Sequence, residues 1–268
     1  MDEKAAHILV LDSGLGGLSV RGAITKTLPY APLIYVADNA AFPYGNRSAD
    51  EIFARAKHVI KTVAHTHKIA LIVIACNTLS TLCLDALRGV FTYPFVGTVP
   101  AIKVAARDSI TKRFTLLATP NTARSDYTKY LITTHAKECL VDVVGAAHLA
   151  EMAEAQLLGE AVDDRRIEQE IAPCFFDDAN GKTDMIVLGC THYPFLFTQM
   201  QKVSPWPVTM IDPALAIAKQ TARLWLPTMA QGDSHAYVTK SDGIAQYETV
   251  FARFGFHNVR PLFHDGVH

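Results

Sequence analysis

Leu71-Ile72-Val73-Ile74-Ala75-Cys76-Asn77-Thr78 and Met185-Ile186-Val187-Leu188-Gly189-Cys190-Thr191-His192 are two versions of one pattern: an apolar run of strand length that ends in a thiol and then in polar residues. Unbroken apolar runs of this length are how strands buried on both faces of a parallel sheet read. Outward from them, similar runs alternate with longer segments of helical period, the signature of an α/β fold. Strands are expected over 7–11, 33–37, 70–75, 94–97, 114–118, 140–144, 185–189 and 207–211. Helices are expected over 17–27, 49–66, 79–89, 101–110, 124–137, 149–158, 164–175, 194–202 and 214–225, with one or two further C-terminal elements.

The repeat reaches beyond the cysteine strands. Leu9-Val10-Leu11-Asp12-Ser13 finds a counterpart in Leu116-Leu117-Ala118-Thr119-Pro120, and Val141-Asp142-Val143-Val144 stands where Leu33-Ile34-Tyr35-Val36 does. Asp12 and Thr119 are 107 positions apart and Cys76 and Cys190 are 114 apart, the near-constant offset that a duplication with small insertions leaves. The expected fold is therefore α/β, with two pseudo-symmetric domains whose mainly parallel sheets face each other across a central cleft. Residues 1–97 plus 208–268 would form the first domain and 98–207 the second. Ligands of parallel sheets bind outside the carboxyl ends of the strands. The fold thus aims Cys76 and Cys190 at a common ligand.

Composition narrows the function classes. The chain has 268 residues, 50% hydrophobic and 19% charged, enough for one or two well-buried cores. A net charge of -1 supplies no basic face for nucleic acid and no polybasic run for a membrane surface. Met1-Asp2-Glu3-Lys4 leads almost directly into the first strand, unlike a signal peptide, and no apolar run approaches the roughly 20 residues of a spanning helix. Five cysteines without CxxC spacing favour neither a disulfide framework nor a zinc ribbon, so a reducing cytoplasm is the expected location.

A lone cysteine at a strand end is ordinarily a small buried core residue. The duplicated setting reverses that reading. Asn77 and Thr78 follow one thiol and Thr191 and His192 the other, where helix N-terminal amides and hydroxyls bind a carboxylate and favour a thiolate. Plain helix capping is the alternative for these polar residues. Asp12-Ser13-Gly14-Leu15-Gly16-Gly17-Leu18-Ser19-Val20 is a strand, glycine loop and helix start. It lacks the third glycine of a dinucleotide fingerprint and the Gly-Lys-Ser/Thr of a phosphate loop, which leaves a small anion or a simple tight turn capped by Asp12.

Other features carry less. Pro43-Tyr44-Gly45 is a rigid turn in the loop that begins at Asp38. His65-Thr66-His67 would point its two rings to different sides of a helix end, so no metal is expected there. Met152, Leu157, Leu158, Val162 and Ile167 give the acidic stretch 151–170 a helical apolar stripe with most carboxylates in water, and Cys83, Cys139 and Cys174 read as structural.

Asp12-Ser13-Gly14-Leu15-Gly16-Gly17-Leu18-Ser19-Val20, Asp38 with Pro43-Tyr44-Gly45, Ala75-Cys76-Asn77-Thr78 and Gly189-Cys190-Thr191-His192-Tyr193-Pro194 together resemble the glutamate racemase family of the aspartate/glutamate racemase superfamily, over essentially the full length. The resemblance implies cofactor-independent interconversion of L- and D-glutamate, supplying D-glutamate for peptidoglycan. It implies that Cys76 deprotonates D-glutamate and Cys190 L-glutamate, with Asp12 and His192 assisting and Asp38 and Glu154 as further polar partners. Substrate contacts would come from Asp12, Ser13, Pro43, Tyr44, Gly45, Asn77, Thr78, Thr119, Thr122, Thr191 and His192. The segment before Glu154, Ala146-Ala147-His148-Leu149-Ala150-Glu151, departs from the family pattern and leaves Glu151 and Glu154 as rivals for one position. Ile211-Asp212-Pro213-Ala214 departs from the usual Asp-Ser-Gly. Some relatives carry an N-terminal extension tied to activation by a cell-wall precursor, and the short lead into the first strand argues against that mode.

Inverting one carbon requires a proton to leave one face and another to arrive at the opposite face, which two matched acid/base groups accomplish. Two other readings remain open: a Cys190/His192 nucleophilic hydrolase, which leaves Cys76 idle, and an amino-acid-binding module of two α/β domains. No metal cluster or pyridoxal phosphate lysine stands out. A homodimer is compatible with the sequence, which does not fix the oligomeric state.

Overall fold

The structure is a computed structural model that describes residues 5–226 and 232–263. Met1-Asp2-Glu3-Lys4, on which the reading of the N-terminus rests, lie outside the described residues. The first half runs β1 (His7–Asp12), α1 (Leu18–Thr27), β2 (Leu33–Ala37), α2 (Ala49–Thr66), β3 (Ile69–Ile74), α3 (Asn77–Val90) and β4 (Phe95–Gly97). Then come α4 (Ile102–Asp108), β5 (Arg113–Ala118), α5 (Pro120–Arg124), α6 (Asp126–His135), β6 (Leu140–Gly145), α7 (Leu149–Leu157) and α8 (Asp164–Ile171). A two-strand ribbon, β7 (Asp177–Asp178) and β8 (Gly181–Lys182), precedes β9 (Met185–Gly189), α9 (Phe197–Val203), β10 (Thr209–Ile211) and α10 (Ala214–Leu224). The described chain closes with β11 (His235–Val238), α11 (Ile244–Arg253) and β12 (Val259–Pro261).

Two sheets carry the fold, ordered β12-β11-β2-β1-β3-β4 and β10-β9-β5-β6, with every neighbour parallel. Within them β2-β1-β3-β4 and β6-β5-β9-β10 are the same arrangement, so the repeat in sequence is a repeat of topology. One correction follows. Thr209–Ile211 pairs with β9 through Met210 and Ile186 and belongs to the second sheet, whereas the division at 207/208 gave it to the first. It is the counterpart of β4, which pairs with β3 in the same way.

The central strands β1, β2, β3, β5 and β9 are buried on both faces, and their side chains alternate between two apolar layers. Ile8 and Val10 pack with Leu18, Ile24 and Ile217 of α1 and α10, while Leu9 and Leu11 pack with Ile52, Val59, Leu79 and Leu87 of α2 and α3. In the second sheet Leu117, Ile186 and Leu188 face Met152 and Ile167, and Leu116 and Val187 face Ile102 and Leu131. Two helices differ from expectation because of local caps. Ser125 accepts the Thr128 N–H and divides the segment expected as one helix over 124–137. The helix expected from 79 starts at Asn77, with Cys76 itself as the N-cap residue. Among the described residues no helix is long and apolar enough to cross a membrane.

Candidate active site

Parallel pairing brings the carboxyl ends of β1, β3, β5 and β9 to the edges where Asp12, Cys76, Thr119 and Cys190 stand. The two edges meet. Thr78 Oγ1 of α3 lies 2.9 Å from Thr119 Oγ1 and 3.3 Å from Thr122 Oγ1, and the latter two are 3.1 Å apart, so three buried hydroxyls bind the units together. Cys76 is 5% exposed and Cys190 6%, and both are free thiols. The Cys76 Sγ lies 3.9 Å from Ser13 Oγ. Burial first, then the Asp12 carboxylate, pushes this thiol well above its ordinary range; the Leu79 N–H pulls it back, and Cys190 adds to the rise.

Behind Cys190 stands a buried acid–base chain. His192 Nδ1 lies 3.8 Å from Cys190 Sγ and its Nε2 2.8 Å from Glu154 Oε2. Burial alone would lower the imidazole's pKa, but its bonds to Cys190 and Glu154 overcome this and raise it well above the ordinary histidine value. Glu154 Oε2 also accepts the Leu15 N–H at 2.9 Å. A carboxylate only accepts, so we assign the Nε2 proton to His192. The Gly16 N–H is placed to donate to the same nitrogen at 3.1 Å, and on the charged imidazole that nitrogen has no lone pair left for it.

The glycine loop exists to let this chain approach. A Cβ on Gly16 would lie 2.2 Å from His192 Nδ1, and one on Gly14 would lie 2.9 Å from both Glu154 carboxylate oxygens. The small anion expected at this loop is thus the protein's own: the amides of Gly14 and Leu15 go to Asp12 and Glu154. Asp12 is fully buried, and burial lifts its carboxyl above the usual range, opposed by His192 and by the N–H groups of Gly14 and Gly17. It also accepts the Thr191 hydroxyl at 3.2 Å. Asp12 ends the same sheet edge as Cys76 yet bonds the residue after Cys190, bridging both sides.

The rival positions separate cleanly. Glu154 is buried in the cleft, whereas Glu151 is exposed and reaches His148 at 3.4 Å. Asp212 accepts the N–H of Ala214 at 2.9 Å and starts α10. Asp38 spends its oxygens on Tyr44 Oη (2.6 Å), Thr239 Oγ1 (2.6 Å) and both arms of Arg55. It anchors the 43–45 turn and has no bond to either thiol. That turn meets the second unit, where Asn121 Nδ2 donates to the carbonyls of Tyr44 and Arg47 at 3.3 and 2.7 Å, and a Cβ on Gly45 would lie 2.9 Å from Thr119 Cβ.

Capping alone does not explain the polar residues after Cys76, because α3 has no side-chain cap and Thr78 bonds across the cleft. Asn77 is 2% exposed with neither amide atom bonded. Two such atoms side by side are costly unless a ligand meets them. Sequence reading missed Arg55, Thr239, Tyr247 and Phe42. Tyr247 Oη lies 3.4 Å from Glu154 Oε1, and the Phe42 ring packs 5.1 Å from that of His192. Only Phe42, beside the Pro43 turn, had a local cue.

Free thiols stand at corresponding strand ends of two sheets of like topology, and a buried imidazole–carboxylate pair lies behind one of them, the outline of a two-unit α/β protein with a polar site between its sheets. A model of the Asp/Glu/hydantoin racemase family matches residues 19–221, and the chain belongs to that family. It is similar to glutamate racemase of Brucella anthropi, 42% identical over 93% of this chain and 92% of the relative. The crystal structure of Escherichia coli glutamate racemase, in complex with L-glutamate and the activator UDP-MurNAc-Ala, superposes with a TM-score of 0.89 and 38% identity, covering 96% of this chain and 98% of that one. A glutamate racemase isoform of Bacillus anthracis superposes with a TM-score of 0.84 and 25% identity over 99% and 100% of the two chains.

Proposed function

We propose that the protein interconverts L- and D-glutamate by proton transfer at Cα, with Cys76 taking the proton from D-glutamate and Cys190 from L-glutamate, and with no cofactor. The observation that carries the reading is the pair of buried thiols at equivalent strand ends of a duplicated fold, meeting across one cleft. The glutamate racemases similar to this chain support the choice of substrate. D-Glutamate made in the cytoplasm would serve peptidoglycan synthesis.

The neighbours suggest how the work divides. Cys190 has the His192 imidazole beside it, and Cys76 has Ser13 and the buried Asp12 side of the site. L-Glutamate bound between them gives its Cα proton to Cys190 and receives one from Cys76 on the opposite face; D-glutamate reverses both transfers. The Cα proton is far less acidic than a thiol, so donors must hold the charge that develops on the α-carboxylate. The Asn77 amide, the hydroxyls of Ser13, Thr78, Thr119, Thr122 and Thr191, and the amides at the start of α3 are the donors at hand. Glu154 keeps His192 charged and oriented, and Asp38 holds the 43–45 turn over the site.

Cys190, His192 and Glu154 also form a thiol–imidazole–carboxylate line of the kind nucleophilic hydrolases use, which is the specific observation favouring that second reading. The Cys76→Ala variant separates the two. Racemization lost in Cys76→Ala as completely as in Cys190→Ala, with circular dichroism unchanged, is the expected result. Full activity in either variant contradicts the two-base reading.

A further inference from the structure

At the opposite end of the same strands, about 17 Å from the catalytic edge for a six-residue strand, three histidines converge from distant parts of the chain. His7 opens β1, His67 is the residue that ends α2 just before β3, and His235 opens β11. Their ring centroids are 5.5, 5.7 and 5.0 Å apart, and one ring nitrogen of each lies within 4.8 Å of the others. They line a cleft of about 350 Å³ together with Lys68, Gly232 and Asp233. We propose that His7, His67 and His235 form a binding site for a divalent transition metal of the zinc class, which clamps β11 onto the first sheet.

Three neutral imidazoles suit a borderline cation such as Zn²⁺, Ni²⁺ or Cu²⁺ and suit Mg²⁺ or Ca²⁺ poorly. Ligand nitrogens about 2.0–2.1 Å from a tetrahedral zinc lie roughly 3.3 Å apart, so the three rings must draw together by an ångström or so. His67 and His235 are half-exposed. Two rings are already oriented from outside the cluster: the Tyr237 hydroxyl lies 2.8 Å from His67 Nε2, and the Asp233 carbonyl lies 3.2 Å from His7 Nε2. Ligating histidines are commonly held by such bonds. His7 is 7% exposed, and its Nδ1 is buried with no hydrogen-bond partner among the described residues. A water or the Asp233 carboxylate would complete four-coordination. The His65-Thr66-His67 pair concealed this site, because the partners of His67 are not its sequence neighbour but residues sixty positions before it and far after it.

The role would be structural. β11 is reached only after the chain has passed through the second unit, and it pairs with β2 from His235 onward. A metal there would tie β1, the α2–β3 junction and β11 together without touching the thiols. This inference is independent of the racemase reading. The test is zinc titration by calorimetry on chelator-stripped full-length protein, run on wild type, on Cys76→Ser/Cys190→Ser to remove the active-site sulfurs, and on His67→Ala and His235→Gln. One equivalent should bind wild type and the cysteine variant alike and weaken about 100-fold or more in each histidine variant. Should a histidine variant not fold, Co²⁺ added to wild type should give tetrahedral visible bands without a thiolate charge-transfer band, and should broaden three histidine ring signals by NMR. Unchanged binding in the histidine variants, a thiolate band, or no saturable binding up to millimolar zinc overturns the proposal.

Discussion

On the proposed mechanism the chemistry of the Cys190 side turns on His192, which lies 3.8 Å from the sulfur through one nitrogen and 2.8 Å from Glu154 through the other. Replacing it with Asn should lower kcat/KM by about 10²–10⁴-fold, the usual worth of a general acid–base partner. L- and D-glutamate have equal free energy, so this loss must be the same in both directions at every pH; unequal tuning of the thiols can show only in kcat and KM separately. The raised pKa of His192 also has a stability consequence. A group whose folded pKa lies above its unfolded value of about 6.5 stabilises the fold fully below that value and progressively less as pH climbs through the folded one. The unfolding free energies of wild type and His192→Asn should therefore differ most near pH 6 and converge in the alkaline range, as urea titrations at several pH values will show. Gly16→Ala is a harsher probe because the added carbon would sit 2.2 Å from the imidazole. It should cost about 1–3 kcal/mol of stability by overpacking, and at least about 10²-fold in kcat through the displaced ring.

At the level of elements, the eight expected strands were legible because they read as apolar runs of strand length, whereas the order of the strands within each sheet comes from the structure. The duplication pointed to two like units, and the structure shows that β5, β6 and β9 pair as β1, β2 and β3 do. What escaped notice is contributed by helix faces and by the chain's return. Arg55 is one charged residue among several on α2, and nothing local marks it as the partner of Asp38. Its reach is set by Ser48, whose hydroxyl accepts the Glu51 N–H and fixes where α2 begins. Thr239 and Tyr247 come from the segment that rejoins the first sheet, two hundred positions from Asp38 and nearly a hundred from Glu154. Arg55→Met should leave the buried Asp38 carboxylate with hydroxyl partners only. Breaking a buried pair costs about 3–5 kcal/mol, and the partly exposed guanidinium places this one at the lower end. Urea unfolding should show that loss, and KM for glutamate should rise because the Tyr44 turn loses its anchor.

Across the whole molecule the chain passes between the units only after Gly97 and after Ile211, while the cleft is spanned by polar contacts: Thr78 to Thr119, Asp12 to Thr191, Leu15 to Glu154 and Asn121 to the Tyr44 turn. Both thiols are buried beneath these contacts, at 5% and 6% exposure. On the proposed mechanism the two sulfurs stand on opposite sides of one carbon, and their separate access to solvent protons is the property that distinguishes two bases from one. The measurement that tests this most directly is early-time NMR of L-glutamate, and separately of D-glutamate, turned over in D₂O. The expected result is that the enantiomer formed carries deuterium at Cα in essentially every molecule while the remaining substrate stays protiated, in both directions. Protium retained in the product, or deuterium entering substrate and product alike from the start, would mean that a single base serves both faces and would contradict the two-cysteine mechanism.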